Sequence, residues 1–210
     1  MTGSPIRKRR ADADRSRTAI LDAAARILDE QPDASIEAIA TSAGVTRQTV
    51  YAHFPSRDRL LREVLDRLTE RTAAAMDAAD PGDGPAVTAL LRILDAAATE
   101  AGRYPVLVQQ INALPTGSQE DHARHTPIAD RIERVVRRGR ETGEFDRTLP
   151  LRWLVTVTIQ LAHAASEERD RGRLSGQDAE NALRISLLRI LAVAGSASRH
   201  DVTNVHGQHT

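Results

Sequence analysis

The chain has 210 residues, 40% hydrophobic and 28% charged, with 29 basic side chains set against 29 acidic ones. That is enough apolar content for a folded core, and the absence of cysteine excludes a disulfide framework and any thiol-based nucleophile or metal site. Aromatic residues make up only 2%, so the core is built from Leu, Ile, Val and Ala; this favours packed helices, and no alternating stretch long enough to anchor a sheet occurs.

The amino-terminal run carries Arg7, Lys8, Arg9, Arg10, Arg15 and Arg17 against only Asp12 and Asp14, with no apolar stretch behind it. It does not read as a signal peptide, and no run approaches the length of a membrane span, so a soluble cytoplasmic protein without a membrane partner is expected. Through Arg62 there are eleven Lys and Arg against eight Asp and Glu, so the modest positive excess of this part is matched by an equal negative excess beyond it. Residues 1–14 are expected to form a flexible basic arm that follows phosphates or enters a minor groove, with a solubilising tail as the alternative. A first helix is predicted from Arg15 to Glu30, turning Ile20, Ala23, Ala24, Ile27 and Leu28 inward and ending at Gln31-Pro32.

Next comes SIEAIATSAGVTRQTVYAHFPS, Ser35 to Ser56. Ile36, Ile39, Ala40 and Ala43 recur at helical spacing behind Ser35, an apt N-cap, and Gly44 supplies the positive φ that a short turn between two angled helices needs. Thr46 then caps a second helix, whose Val50 and Phe54 face inward. Arg47, Gln48, Thr49, Tyr51 and His53 are left outward, and Pro55 stops it. No acidic residue lies between Gly44 and Ser56, which suits a polyanion carrying base edges. Arg47 has the geometry to bridge guanine O6 and N7, and Gln48 to pair with adenine N6 and N7. Thr46, Thr49, Tyr51 and His53 are better placed as phosphate donors. Two helices around a glycine also occur as ordinary solvated packing.

The run GVTRQTVYAHFPSRDRLL, preceded by RTAILDAAARILDE and SIEAIATSAG, resembles the DNA-binding domain of the tetracycline-repressor (TetR) family of bacterial regulators. Gly44, Val45, Thr46, Tyr51, Phe54, Pro55 and Ser56 fill that family's pattern, His53 stands where histidine is frequent, and Arg57 stands where lysine is usual. The resemblance covers residues 15 to 65. It implies an all-α protein of about nine helices, with a helix-turn-helix domain at 15–62, a helical effector-binding and dimerisation domain at 63–194 and a flexible tail at 195–210. It also implies a dimeric repressor that binds a palindromic double-stranded operator and is released by a small molecule of unknown identity. Arg17, Thr18, Ser35, Ser56 and Arg57 join the outward residues of the second helix as expected DNA contacts. An effector-independent regulator or architectural protein is the alternative.

A fourth helix is predicted after Pro55, with Ser56 as cap, Asp58 in its first turn and Leu60, Leu61, Val64, Leu65 and Leu68 as its apolar stripe, continuing to about Ala79. PGDGP at Pro81 to Pro85 breaks the chain. Ala86 to Glu100 forms the next helix, with Val87, Leu90, Leu91, Leu94 and Ala98 inward, and a shorter one runs from Tyr104 to Leu114. Ile128 to Gly139 is predicted helical, with Ile132, Val135 and Val136 inward and Arg131, Arg134, Arg137, Arg138 and Arg140 on a solvated face in preference to a second nucleic-acid surface. GEFDRTLP is a turn. Two apolar helices follow, Pro150 to Asp170 and Ser175 to Ala194. The seam Leu183, Leu187, Ile190 and Ala194, broadened by Leu188 and Leu191, is expected to pair with a second copy as a four-helix interface, the alternative being burial within the monomer.

Pocket candidates are Gln109, Trp153 and Gln160, the last two sharing a helical face; ordinary packing or surface is their alternative. The low aromatic content argues against a pocket that stacks flat multi-ring cations. Glu120, Asp121, His122 and His125 read as a polar loop in preference to a metal site, and His163 as a packed histidine. No metal and no cofactor is expected. The sequence contains no glycine-rich phosphate loop, nucleophile elbow or paired metal-binding histidines on a glutamate-bearing helix, so it is not read as an enzyme.

Overall fold

A computed structural model of the chain describes the backbone of residues 5–80, 82–108 and 119–191 and the side chains of 9, 11–80, 82–108 and 126–191. Among the described residues the protein is all helical: α1 (Pro5–Glu30), α2 (Ile36–Ala43), α3 (Arg47–His53), α4 (Arg57–Ala79), α5 (Ala86–Ala101), α6 (Gln119–Thr142), α7 (Leu151–Asp170) and α8 (Gly176–Leu191). Residues 105–108 add one further helical turn, the start of the short helix predicted from Tyr104; its remainder, with Gln109, lies outside the described residues, as do Ala194 and the 195–210 tail. No described helix is long and apolar enough to cross a membrane.

Two starts differ from expectation. α1 begins at Pro5 instead of Arg15, so the predicted arm is helical from that point. Proline suits a first helical turn, Ala11, Ala13 and the arginines are good helix formers, and Asp12 pairs with Arg15 one turn on. α6 begins at Gln119 and carries Pro127 inside it, where a start at Ile128 is predicted. The segment Glu120–His125 is therefore helical instead of a loop, and its side chains lie outside the described set.

The described residues divide into two compact units, one within Met1–Met76 and Ala96–Ile128, the other within Asp77–Asp95 and Ala129–Thr210. The core of the first joins Ile20, Leu21, Ala24, Ala25 and Leu28 of α1 to Ile36, Ile39 and Ala40 of α2, Val50 of α3, Phe54, and Leu60 and Val64 of α4. Ile27, Leu61, Leu65 and Leu68, predicted inward, sit at its partly buried rim. Arg67 clasps Asp22 with two hydrogen bonds, at 3.0 and 3.3 Å, fixing α4 against α1. Leu107 also enters this core, and its amide donates to the Asp29 carboxylate near the end of α1 at 3.0 Å.

In the second unit Ala86, Ala89, Leu90, Ile93 and Leu94, Ile132, Val135 and Val136, Phe145, Leu154 and Val155, and Ala179, Leu187 and Leu191 are buried. Ala98, predicted inward, is exposed, because the inward stripe of α5 runs through 86, 89, 90, 93 and 94. A Cβ at Gly139 would lie 2.3 Å from Cδ2 of Phe145 and 2.9 Å from Cβ of Ala86, so the absence of a side chain there is what lets Phe145 close over α6. Of the α6 arginines predicted on a solvated face, Arg134 and Arg137 are exposed, whereas Arg131, Arg138 and Arg140 are half-buried. Arg131 and Arg134 pair with Asp77, Arg138 holds both oxygens of Asp80 at 3.2 Å, and Arg140 donates to the Arg147 carbonyl.

The turn before α7 caps a distant helix. Glu144 accepts from the Ala86 amide at 2.7 Å and the Val87 amide at 3.5 Å, satisfying otherwise unpaired donors at the start of α5. The Ala86 amide, helped by the Thr142 hydroxyl, outweighs desolvation and holds the Glu144 carboxyl below the ordinary carboxylate range. A carboxyl depressed by folding contributes stability that is present above its unfolded pKa and is lost as pH falls through the folded value. The wild-type protein should therefore melt higher than Glu144→Gln at neutral pH, and the gap should close on acidification below roughly pH 4. Melting curves of both proteins over an acid pH series check this; a gap constant down to pH 3 would remove the cap from the account.

Candidate nucleic-acid interface

Ser35, Gly44 and Thr46 set the angle at which α3 leaves the first unit. The Ser35 hydroxyl accepts from the Ala38 amide at 3.2 Å, so α2 starts there. At its end Gly44 takes φ 68°, while its amide donates to the Thr41 carbonyl and the Val45 amide to the Ala40 carbonyl, the paired bonds of a left-handed glycine stop. Thr46 then accepts from the Thr49 amide at 3.1 Å and shares a 2.8 Å hydrogen bond with the Thr49 hydroxyl.

Because Val50 is fully buried and Phe54 is 1% exposed, the opposite side of α3 is fixed outward. Arg47, Gln48 and Tyr51 lie on that side, exposed, with the Arg47 guanidinium 5.5 Å from the centre of the Tyr51 ring. The stacking restrains Arg47 without neutralising it, and α3 has no acidic residue in its first turn. Thr49 and His53 are half-buried, flanking this strip. Three exposed side chains with donors and acceptors on one short, well-capped helix match what reading base edges in a major groove requires.

The remaining predicted contacts divide. Thr18 is exposed on α1. Ser56 caps α4, accepting from the Arg59 amide at 3.1 Å. Arg57, predicted as a DNA contact, is engaged within its own unit: its guanidinium donates to the carbonyls of Ala34 and of Pro32, the latter at 2.9 Å, stitching the start of α4 to the α1–α2 loop. Those carbonyls end outside any helix ladder, and a planar fork is the group that satisfies two at once. Arg57→Ala should cost about 1–3 kcal/mol of stability, read as a lower urea midpoint. Arg57→Lys, which keeps the charge but cannot fork, should recover only part of it; full recovery would show that charge alone is used. Arg17 is likewise engaged, paired with Glu63 and stacked 5.4 Å from the centre of the Phe54 ring. Neither Glu63 nor its second partner, Arg59, is among the predicted site residues, although the i,i+4 spacing of Arg59 and Glu63 is a signal for that pair.

Of the predicted pocket residues, Trp153 is 55% exposed and Gln160 is exposed, so neither is enclosed. In the predicted dimer seam Leu187 is buried in its own unit, Leu183 and Ile190 are half-buried, and the apolar side chains left exposed are Ile185 and Leu188, with Leu149 and Trp153 on and just before α7. The reason is periodicity: 179, 183, 187 and 191 recur every four residues and form the inward stripe, leaving 185 and 188 on another. His163, predicted as packed, is exposed, standing about 140° round α7 from buried Thr158. Among the described residues no cluster of His, Asp and Glu has the arrangement of a metal site.

The site and fold together define an all-helical protein carrying an amino-terminal helix-turn-helix. Residues 20–64 match the family described as bacterial regulatory proteins, tetR family. The chain is 42% identical over 82 residues to the HTH-type transcriptional repressor LfrR of Mycolicibacterium smegmatis and 35% identical over 81 residues to the HTH-type transcriptional regulator EthR of Mycobacterium tuberculosis. These alignments cover 39% and 37% of this chain and 43% and 38% of the relatives, less than half of either. Over the whole fold it is similar to the crystal structure of LfrR in complex with proflavine, with a TM-score of 0.64 and 28% identity, covering 85% of this chain and 98% of that one. The chain is therefore similar to tetR-family regulators, in sequence over its helix-turn-helix and in fold over 85% of its length.

Proposed function

We propose that the protein is a cytoplasmic, dimeric transcriptional repressor that binds a palindromic operator and is released from it by a small molecule. The observation that carries this is the outward strip Arg47, Gln48 and Tyr51 on a helix whose other side is sealed into a core. It is supported by the names of its relatives, a repressor and a regulator of the helix-turn-helix type.

The second copy is called for by the apolar side chains Trp153, Ile185 and Leu188, left in water by a single chain. A two-fold pair would bury them symmetrically and present two α3 helices to half-sites about 34–36 Å apart or a near multiple. α4 runs from Arg57 at the helix-turn-helix to Ala79, so a change in its tilt would alter that spacing. A small molecule releases DNA if it prefers the wrongly spaced form; a preference of about 1–3 kcal/mol gives roughly 5–150-fold weaker binding. LfrR was crystallised with proflavine, a flat three-ring cation. This chain has one Trp, two Tyr and two Phe, so its effector is better held by apolar contact with a few polar hooks than by ring stacking.

The test is a footprint of the purified protein on the DNA flanking its own gene, repeated with metabolites of the neighbouring gene products, alongside sedimentation with and without DNA. A dimer, a protected palindrome, and a compound that both raises the melting temperature and abolishes protection are expected. A micromolar monomer in both conditions rejects the paired architecture. Protection insensitive to every compound that binds favours the effector-independent regulator.

A further inference from the structure

Arg17 on α1 and Arg59 on α4 converge on one carboxylate. Arg59 donates through Nε to Oε1 of Glu63 at 2.8 Å, and Arg17 pairs with Oε2 of the same side chain. The glutamate side chain is only 11% exposed, whereas those of Arg17 and Arg59 are 46% and 56% exposed. Arg17 is also stacked on Phe54, the residue that closes the carboxy-terminal end of α3. Two guanidiniums on one carboxylate leave one net positive charge here. Each guanidinium has five N–H donors, so most of them remain uncommitted.

We propose, resting on the DNA-binding reading above, that Glu63 is a positioning residue which holds Arg17 and Arg59 as paired contacts to the DNA backbone beside α3. Exposed ion pairs add little to folding, so stability alone gives weak reason to place a nearly buried carboxylate between two exposed arginines. Preorganisation gives a better one. A free arginine loses rotamer freedom on meeting a phosphate, while one already fastened and stacked loses less. Arg17 thus keeps its predicted role by a route the sequence did not show, and Arg59 joins it.

The experiment uses the full chain and a labelled mixed-sequence duplex, since backbone contacts do not depend on base sequence, with affinity measured across a salt series. Arg17→Ala and Arg59→Ala should each flatten the plot of log affinity against log salt by about 0.9 for every phosphate that is no longer neutralised. A double-mutant cycle then isolates positioning from simple charge: the penalty of Arg59→Ala should shrink by about threefold or more in the Glu63→Gln background. Melting temperatures accompany each variant. Where Glu63→Gln fails to fold, Glu63→Asp, which keeps the charge and shortens its reach, carries the same comparison. Equal penalties in both backgrounds overturn the positioning role, and unchanged slopes for both alanine variants overturn the contacts. A wild-type chain that retains no duplex at low salt overturns the DNA-binding reading itself.

Discussion

Gly139→Ala is expected to destabilise the protein by about 2 kcal/mol, although alanine is the better helix former. Its higher propensity returns about 1 kcal/mol in a helix interior. Against that, the added methyl would sit 2.3 and 2.5 Å from two ring carbons of Phe145 and 2.9 Å from Cβ of Ala86. Carbon atoms prefer about 3.5–4.0 Å, so Phe145, itself 3% exposed, would have to shift by more than 1 Å in a closed core. Overpacking of this kind costs typically 1–3 kcal/mol and sometimes more. The measurement is chemical denaturation of Gly139→Ala and of the double variant Gly139→Ala with Phe145→Leu. The double variant should lose less than the sum of the two single losses, because the smaller side chain relieves the clash. Additive losses would mean that the two positions do not meet in solution.

Gln48→Ala and Tyr51→Phe should affect DNA binding in different ways. Gln48 is exposed on the outward side of α3, and a bidentate contact to adenine is worth about 1–3 kcal/mol of discrimination at each half-site. Its loss should bring the affinities of the operator and of point variants at one base pair together. Tyr51→Phe keeps the ring on which Arg47 is stacked and deletes only a hydroxyl suited to phosphate, so it should weaken all sequences by a similar factor. Titrations against the operator and its point variants at fixed salt check both. If Tyr51→Phe changed the preferred sequence and Gln48→Ala did not, the roles assigned along α3 would have to be exchanged.

The helix-turn-helix was legible because its signals are local. Ser35, Gly44 and Thr46 act on backbone groups within a few residues, and the burial of Val50 and Phe54 follows from helical spacing. What the sequence concealed depends on partners far along the chain. The carbonyls that hold Arg57 come 23 and 25 residues earlier, Glu144 caps a helix 58 residues before it, and Asp77 and Asp80 engage arginines of α6 more than fifty residues on. No periodicity encodes such pairs. The closing helices show a different limit. Hydrophobic spacing marked Leu183, Leu187 and Ile190 of α8 as a seam, but which stripe faces inward depends on what packs against it, and Leu187 is buried within its own unit.

The seating of Leu107 bears on how this protein is dissected in the laboratory. A fragment that stops at Met76 would omit a side chain 2% exposed among Ile20, Leu28 and their neighbours, together with the amide that Asp29 accepts. It would leave a leucine-sized hollow in its hydrophobic interior and an acid stripped of its donor. Cavities of this kind cost about 2–5 kcal/mol, a large share of the stability of a small domain. The helix-turn-helix unit is thus completed by a residue encoded 31 codons downstream of the cut, and excision alone would not yield a sound miniature.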